Sequence, residues 1–188
     1  MTVPDSVLTE LVSAIEAAPA GLGGSRLVCI DGPAGSGKTT LATQLAWSLP
    51  AQVVHMDDLY PGWSGMAEGA DLLREWVLGP LAHGVPGRYR RYDWPLGVYA
   101  ERHTVPLADF LIVEGCNSAA LPVDEYAPFI IWVEADDDLR LARGLDRDGA
   151  DASEQWTRWM VTERELYAAN RTPERAHVRL DGLGRLVG

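Results

Sequence analysis

One stretch, Gly32-Pro33-Ala34-Gly35-Ser36-Gly37-Lys38-Thr39, decides the fold of this 188-residue chain. It matches the phosphate-loop pattern G-x-x-x-x-G-K-[ST]. Its glycines allow backbone conformations in which successive N–H groups turn toward one anion, and the positive end of a following helix strengthens that attraction. A short apolar run, residues 26–30, comes before the stretch, and leucines at helical spacing follow it. The stretch therefore predicts a strand–loop–helix unit that binds the polyphosphate of a nucleoside triphosphate.

The pattern also predicts the part that each loop residue plays. Lys38 is expected to reach the β- and γ-phosphates, and the Thr39 hydroxyl is expected to ligate Mg²⁺. Lys38 is the only lysine among the sixteen basic residues of the chain. The expected cofactors are therefore ATP and Mg²⁺. The residues expected to contact the phosphates are Gly32, Ala34, Gly35, Ser36, Gly37, Lys38, Thr39 and Thr40.

Short apolar runs alternate with segments of helical periodicity along the rest of the chain. Strands are predicted at residues 26–30, 51–56, 110–113, 129–133 and, more weakly, 176–180. Helices are predicted at residues 5–18, 67–82, 136–145 and 153–170, with an irregular segment at 84–105. This alternation predicts an α/β protein, a P-loop NTPase three-layer fold with a mostly parallel five-stranded sheet, similar to nucleoside and nucleotide kinases.

Length and composition narrow the class of protein. The 188 residues suit a single domain, with a substrate-binding excursion at about 57–105 and a short lid at about 143–150. The net charge of −11 argues against a general nucleic-acid binder, because a phosphate backbone would be repelled. No apolar run approaches the ~20 residues needed to cross a bilayer, and no signal peptide is visible. Cys29 and Cys116 match no metal-ligand spacing. We therefore expect a cytoplasmic protein that neither binds nucleic acid nor spans a membrane.

Acidic residues at two strand ends indicate a more specific relationship. The second strand runs into Asp57-Asp58-Leu59-Tyr60, and the third ends in Glu114-Gly115. These segments resemble the D-x-[FL]-Y and E-G motifs of the uridine kinase and phosphoribulokinase family of P-loop small-molecule kinases, over residues 26–147. The resemblance implies that Asp57 accepts the proton of the substrate hydroxyl and that Glu114 holds Mg²⁺, directly or through water. Asp57 could instead cap the next turn while Asp58 acts, and Glu114 could be structural.

An aromatic segment extends the resemblance to the substrate pocket. Tyr92-Asp93-Trp94 resembles the Y-D-F segment that lines the nucleoside pocket of uridine kinases. By this resemblance Tyr60 belongs to the same wall, and Asp93 could hold hydroxyl groups. Aromatic rings suit a flat base, because stacking buries a π face without directional bonds. The alternative is ordinary aromatic packing in a chain with seven tryptophans.

Three arginines share one face of a predicted helix: Arg140, Arg143 and Arg147 recur at i, i+3 and i+7. In related kinases a basic lid closes over the phosphates, and its arginines stabilise charge on the transferring group. Arg143 and Arg147 are the candidates for that role. The alternative is a solvated face that pairs with Asp136 or Asp137, which is the expectation for Arg140.

These features favour an ATP-dependent kinase that phosphorylates a hydroxyl of a small, nucleoside-like molecule. A nucleoside monophosphate kinase is an alternative, in which Arg88, Arg90 and Arg91 would bind the acceptor phosphate. A nucleotide-binding regulatory module without kinase activity is a further alternative.

Overall fold

The computed structural model describes residues 2–187. Its strands are β1 (Arg26–Asp31), β2 (Gln52–His55), β3 (Gly87–Asp93), β4 (Val98–Val105), β5 (Phe110–Glu114), β6 (Phe129–Val133) and β7 (Val178–Leu180). Its α-helices are α1 (Asp5–Ala17), α2 (Lys38–Ser48), α3 (Met66–Leu73), α4 (Gly79–Ala82), α5 (Asp137–Asp148), α6 (Ser153–Asn170) and α7 (Thr172–Arg175). No helix within these residues is both long and apolar enough to cross a bilayer.

Five parallel strands form the central sheet, in the order β2-β5-β1-β6-β7. Successive side chains of a strand point to opposite faces, and both faces of this sheet are covered. Val28 and Ile30 of β1 pack in one core layer with α1 and α2. Leu27 and Cys29 pack in the other layer, which includes side chains of α3 and α6. The predicted α/β fold with a five-stranded parallel sheet is confirmed.

The segment at 84–105, predicted to be irregular, is an antiparallel hairpin of β3 and β4. Its register pairs Gly87 with Val105 and Asp93 with Val98, with an irregularity between Arg90 and Tyr92. The segment lacks an apolar run because only one side of the hairpin is covered, so buried Tyr89 alternates with exposed arginines. The prediction of irregular structure was wrong, since polar strands with one covered face give a weak sequence signal.

The other predicted elements are present with shifted ends. The helix predicted at 67–82 is α3 and α4 joined by a π turn at Arg74–Leu78, next to Pro80, which has no amide for a helical hydrogen bond. β2 is shorter than predicted, because Met56–Asp58 forms a 3-10 turn. α5 continues to Asp148 and ends at Gly149, whose φ is 90°. The carboxyl ends of β1, β2 and β5 lie side by side and carry the polar residues discussed next.

Candidate active site

The loop between β1 and α2 has a conformation that depends on its glycines. Gly32, Gly35 and Gly37 all have positive φ, at 139°, 79° and 107°. A Cβ on Gly32 would lie 2.1 Å from the carbonyl oxygen of Val133 in β6. Such a contact is impossible for any larger residue, so the loop can pass this close to the sheet only with glycine.

The loop amides divide into two groups. The amide of Gly32 donates to Asp31 Oδ1 at 2.7 Å, and that of Ala34 donates to Glu163 Oε2 at 3.0 Å. The Ser36 amide donates to the Pro33 carbonyl, whereas the loop amides of Gly35, Gly37, Lys38, Thr39 and Thr40 have no acceptor within residues 2–187. These five belong to the loop's inner turn and the first turn of α2, where amides are free to bind an anion. The loop therefore has a preformed anion site.

Lys38 lies inside this loop. Its side chain is buried, and Nζ donates to the carbonyl oxygens of Gly32 at 2.8 Å and Pro33 at 2.9 Å. Burial alone would lower the pKa of the ammonium group, but the surrounding acidic groups, Cys116 and Glu114 foremost, raise it overall. The charged form is therefore favoured, and it lies beside the free amides.

Glu114 and Thr39 form the part of the site suited to a divalent cation. The Thr39 hydroxyl donates to Glu114 Oε1 at 3.1 Å, and His55 Nδ1 lies 2.7 Å from the same oxygen. This contact with Glu114 raises the pKa of His55, although partial burial opposes the effect. Mg²⁺ prefers hydroxyl, carboxylate and phosphate oxygens and keeps several waters, so these two residues fit it. Within residues 2–187 no cluster of three or more His, Cys, Asp or Glu could form an all-protein cage.

Asp57 and Asp58 follow β2 and line the same cavity as Lys38. The Asp57 carboxylate is open to the cavity and has no hydrogen-bond partner within residues 2–187. Desolvation by the surrounding protein, followed by the charge of Glu114, raises its pKa. Asp58 differs, because its Oδ2 accepts a hydrogen bond from the Tyr89 hydroxyl at 3.1 Å. Of the two, Asp57 is the carboxylate free to accept a proton.

Aromatic rings form the opposite wall of this cavity, whose volume is ≈ 880 Å³. The rings that line it are those of Trp63, Tyr92, Trp94, Trp156 and Trp159. Trp63 contacts Trp94 and Trp159 edge-on, with centroids 5.5 and 5.9 Å apart, and remains 37% exposed. Trp94 Nε1 donates to the backbone carbonyl of Asp57 at 2.9 Å, which ties the β3–β4 hairpin to the end of β2.

The three arginines of α5 have different surroundings. Arg140 is buried, pairs with Asp137 as expected at 2.5 Å, and pairs also with Glu163 at 2.6 Å. It is therefore not on a solvated face. Arg143 Nη1 donates to the Gly35 carbonyl at 3.0 Å. Arg147 pairs with Asp148 at 2.7 Å and lies over the Trp156 ring at 5.8 Å. Arg143 and Arg147 both line the cavity.

Solved structures with the same architecture as this chain are known. No protein-family model matches the chain, and no curated protein matches it in sequence. The structure of a possible uridine kinase from Bacillus stearothermophilus matches with a TM-score of 0.68 at 18% identity, covering 93% of this chain and 97% of that one. A provisionally assigned fructose transport system kinase from a Silicibacter species matches with a TM-score of 0.61 at 21% identity, covering 87% and 94%. The chain shares the α/β fold of these two structures.

This shared fold confirms the predicted family resemblance at the level of architecture. Three of the residues predicted to contact phosphate have amides that already donate hydrogen bonds within the protein. The Gly32 amide donates to Asp31 and the Ala34 amide donates to Glu163. The Ser36 amide bonds the Pro33 carbonyl at 3.3 Å, while its buried hydroxyl has no partner within the described residues. The free amides begin at Gly35 because the preceding residues brace the loop.

The residues predicted to form the aromatic wall lie in different positions relative to the cavity. Tyr60 is fully buried, and its hydroxyl donates to the Cys116 carbonyl at 2.6 Å, so it supports the wall from behind. Asp93 does not line the cavity, because its carboxylate accepts from the Leu96 amide and from Arg91 at the turn of the hairpin. Tyr92 and Trp94 do line it. Sequence reasoning missed Trp63, Trp156 and Trp159, of which the last two share a face of α6 at spacing i, i+3.

The three hairpin arginines considered for an acceptor phosphate differ in their contacts. Arg90 donates to the backbone carbonyls of Tyr99 and Ala100 on the partner strand. Arg91 reaches the cavity wall, but its guanidinium pairs with Glu101 at 2.5 Å and with Asp93 at 3.1 Å. Arg88 is exposed and does not line the cavity. An acceptor monophosphate would have to displace existing ion pairs here.

Proposed function

We propose that the chain is an ATP- and Mg²⁺-dependent phosphotransferase that moves the γ-phosphate to a hydroxyl of a small, nucleoside-like molecule. One observation carries the proposal: the loop that presents the free amides, the Lys38 ammonium and the unpaired Asp57 carboxylate line the same cavity. Phosphoryl transfer needs alignment, charge neutralisation and a base, and these three features supply them. Dependence on ATP and two free thiols support a cytoplasmic location.

Each residue has a distinct part in the proposed reaction. The amides of Gly35 and of the first turn of α2 hold the triphosphate, and Lys38 neutralises its β- and γ-phosphates. Asp57 accepts the proton of the acceptor hydroxyl, whose oxygen bonds to the γ-phosphorus as the bond to the ADP oxygen breaks. Bound Mg²⁺, held by Thr39 and Glu114, would neutralise charge on the phosphates. Arg143 and Arg147 then offset the charge of the transferring group.

The aromatic wall supports an acceptor that contains a flat ring. Trp63, Tyr92 and Trp94 keep part of their surface open to the cavity. Two polar groups of this wall bond within the protein, since Trp94 Nε1 donates to the Asp57 carbonyl and Trp156 Nε1 donates to Asp148, whereas Trp159 Nε1 has no partner within residues 2–187. A flat ring would be held chiefly by stacking on these side chains. We propose that the ring is recognised by shape, so several nucleosides or ring-bearing alcohols would serve.

A panel of acceptors tests the proposal. ADP release is measured with Mg²⁺–ATP and, in turn, nucleosides, nucleoside monophosphates, sugars and ring-bearing alcohols, with acceptor-free hydrolysis as the baseline. We expect at least one unphosphorylated ring alcohol to raise the rate well above that baseline and to yield a phosphorylated product by mass spectrometry. Faster turnover of monophosphates would support the monophosphate kinase instead. Tight ATP binding with no acceptor-dependent turnover, unchanged in Asp57→Asn, would support a regulatory module.

A further inference from the structure

A buried ion pair joins α5 and α6 directly behind the phosphate loop. Glu163 of α6 is 0% exposed and Arg140 of α5 is 2% exposed, and the two meet at 2.6 Å between Oε1 and Nη1. The other carboxylate oxygen of Glu163 lies 3.8 Å from Cys116 Sγ. Arg140 also pairs with Asp137, whose second oxygen accepts from Arg164 at the surface. The charges of Glu163 and Arg140 are thus buried beside a loop whose carbonyl oxygens already bind the Lys38 ammonium.

Both ions of this pair hold the backbone of one loop residue. The Ala34 amide donates to Glu163 Oε2 at 3.0 Å, and the Ala34 carbonyl accepts from Arg140 Nη1 at 2.9 Å. The next residue, Gly35, packs against the backbone of Arg140, where a Cβ on Gly35 would lie 2.8 Å from the Arg140 carbonyl oxygen. The pair and Ala34 together are called the Ala34 clamp below.

Because the peptide bond is planar, the bond to the Ala34 carbonyl also sets the direction of the free Gly35 N–H. In a trans peptide the carbonyl of one residue and the N–H of the next point in opposite directions, and no described peptide here is cis. Because Arg140 draws the Ala34 carbonyl toward α5, the Gly35 N–H points away from α5. The Gly35 amide is one of those without an acceptor.

We propose that Glu163 and Arg140 are positioning residues that fix the Ala34–Gly35 peptide, so that the Gly35 amide faces the triphosphate. The inference rests on the proposed function, since it assumes that the loop binds a nucleotide. Stability alone does not require this pair, because well-packed apolar side chains can replace a buried ion pair with little loss. The pair performs a task that apolar side chains cannot, which is to bond the N–H and the C=O of Ala34 at once.

A paired replacement separates positioning from stability. Arg140→Met leaves the buried Glu163 carboxylate without its counter-charge, and Glu163→Met leaves Arg140 with Asp137 as its remaining acidic partner, so each single variant is expected to lower the Tm. The double variant Glu163→Met/Arg140→Met is expected to regain most of that Tm. The Kd of the double variant for a non-hydrolysable ATP analogue, in the presence of Mg²⁺, is measured by calorimetry. This Kd is expected to stay about tenfold or more above that of the unmodified protein, which corresponds to the loss of one charge-assisted hydrogen bond.

Two further variants complete the experiment. Glu163→Asp keeps the charge that compensates Arg140 but shortens the reach to Ala34, so it is expected to fold and to bind the analogue more weakly. Glu154→Met/Arg158→Met removes an exposed ion pair of the same helix that does not touch the loop, and its Kd is expected to be unchanged. If Glu163→Asp or the double variant binds the analogue as tightly as the unmodified protein, the clamp has no positioning role. If the unmodified protein itself does not bind the analogue, the proposed function fails, and the clamp with it.

Discussion

Replacing Asp57 by asparagine tests the proposed chemistry most directly. The amide has nearly the same shape as the carboxylate but cannot accept a proton, and the bond from Trp94 Nε1 goes to the backbone of Asp57, which the substitution leaves in place. A positioned general base contributes about 10²–10⁴-fold to the rate. We therefore expect kcat to fall by that factor, equivalent to about 2.7–5.5 kcal/mol of transition-state stabilisation. The Kd for Mg²⁺–ATP is expected to stay within about threefold, because Asp57 makes no contact with the loop amides.

The pH dependence provides a second, independent readout. Burial, followed by the charge of Glu114, raises the pKa of Asp57 above the ordinary value of 3.8. The base acts in its deprotonated form, so kcat/KM is expected to fall as the pH drops through this raised pKa. The acidic limb of the profile should therefore lie above pH 3.8, and it should be absent from the residual activity of Asp57→Asn.

Asp58→Asn is the matched control, since Asp58 lines the same cavity and carries the same charge. Its carboxylate already accepts from Tyr89, so we expect a smaller loss of kcat and an unchanged acidic limb. Acceptor-dependent ADP release from both variants is measured between pH 4 and pH 9 on one preparation of substrates. A larger loss in Asp58→Asn than in Asp57→Asn, or a kcat for Asp57→Asn close to that of the unmodified protein, would refute the assignment of Asp57 as the base.

Three further predictions concern the other parts of the site. Lys38→Met is expected to lower kcat by about 10²–10³-fold with the far-ultraviolet circular dichroism unchanged, because the glycines shape the loop; full activity would remove Lys38 from the reaction. Glu114→Gln is expected to raise the Mg²⁺ concentration for half-maximal rate by about 10–100-fold, and an unchanged Mg²⁺ titration would make Glu114 structural. Trp94→Leu is expected to raise the KM of the acceptor by about two- to tenfold, while the KM of ATP stays constant; an equal rise in both would contradict a stacking wall on the acceptor side.

The sequence predicted the central sheet and the phosphate loop because their signals are local. Strands covered on both faces have unbroken apolar runs in the sequence, so the predicted ends of β1, β5 and β6 are within one residue of the observed ends. The sequence signal of the loop is a set of glycines that precede a helix, and the loop conformation follows from the backbone freedom of these glycines. The β3–β4 hairpin was missed, because its strands mix arginine and glycine with aromatic residues and are covered on one side only.

What the sequence by itself determined is the anion-binding turn at the end of β1, with Lys38 and Thr39 in it. Only the tertiary structure decided which amides of that turn are free, because the carboxylate that occupies the Ala34 amide lies 129 residues further along the chain. The aromatic wall likewise combines Trp63, Trp94 and Trp156 from three separate segments. Backbone conformation depends on neighbours in the chain, whereas the partners of a buried polar group or a ring depend on which distant elements pack together, and a single sequence does not record that packing.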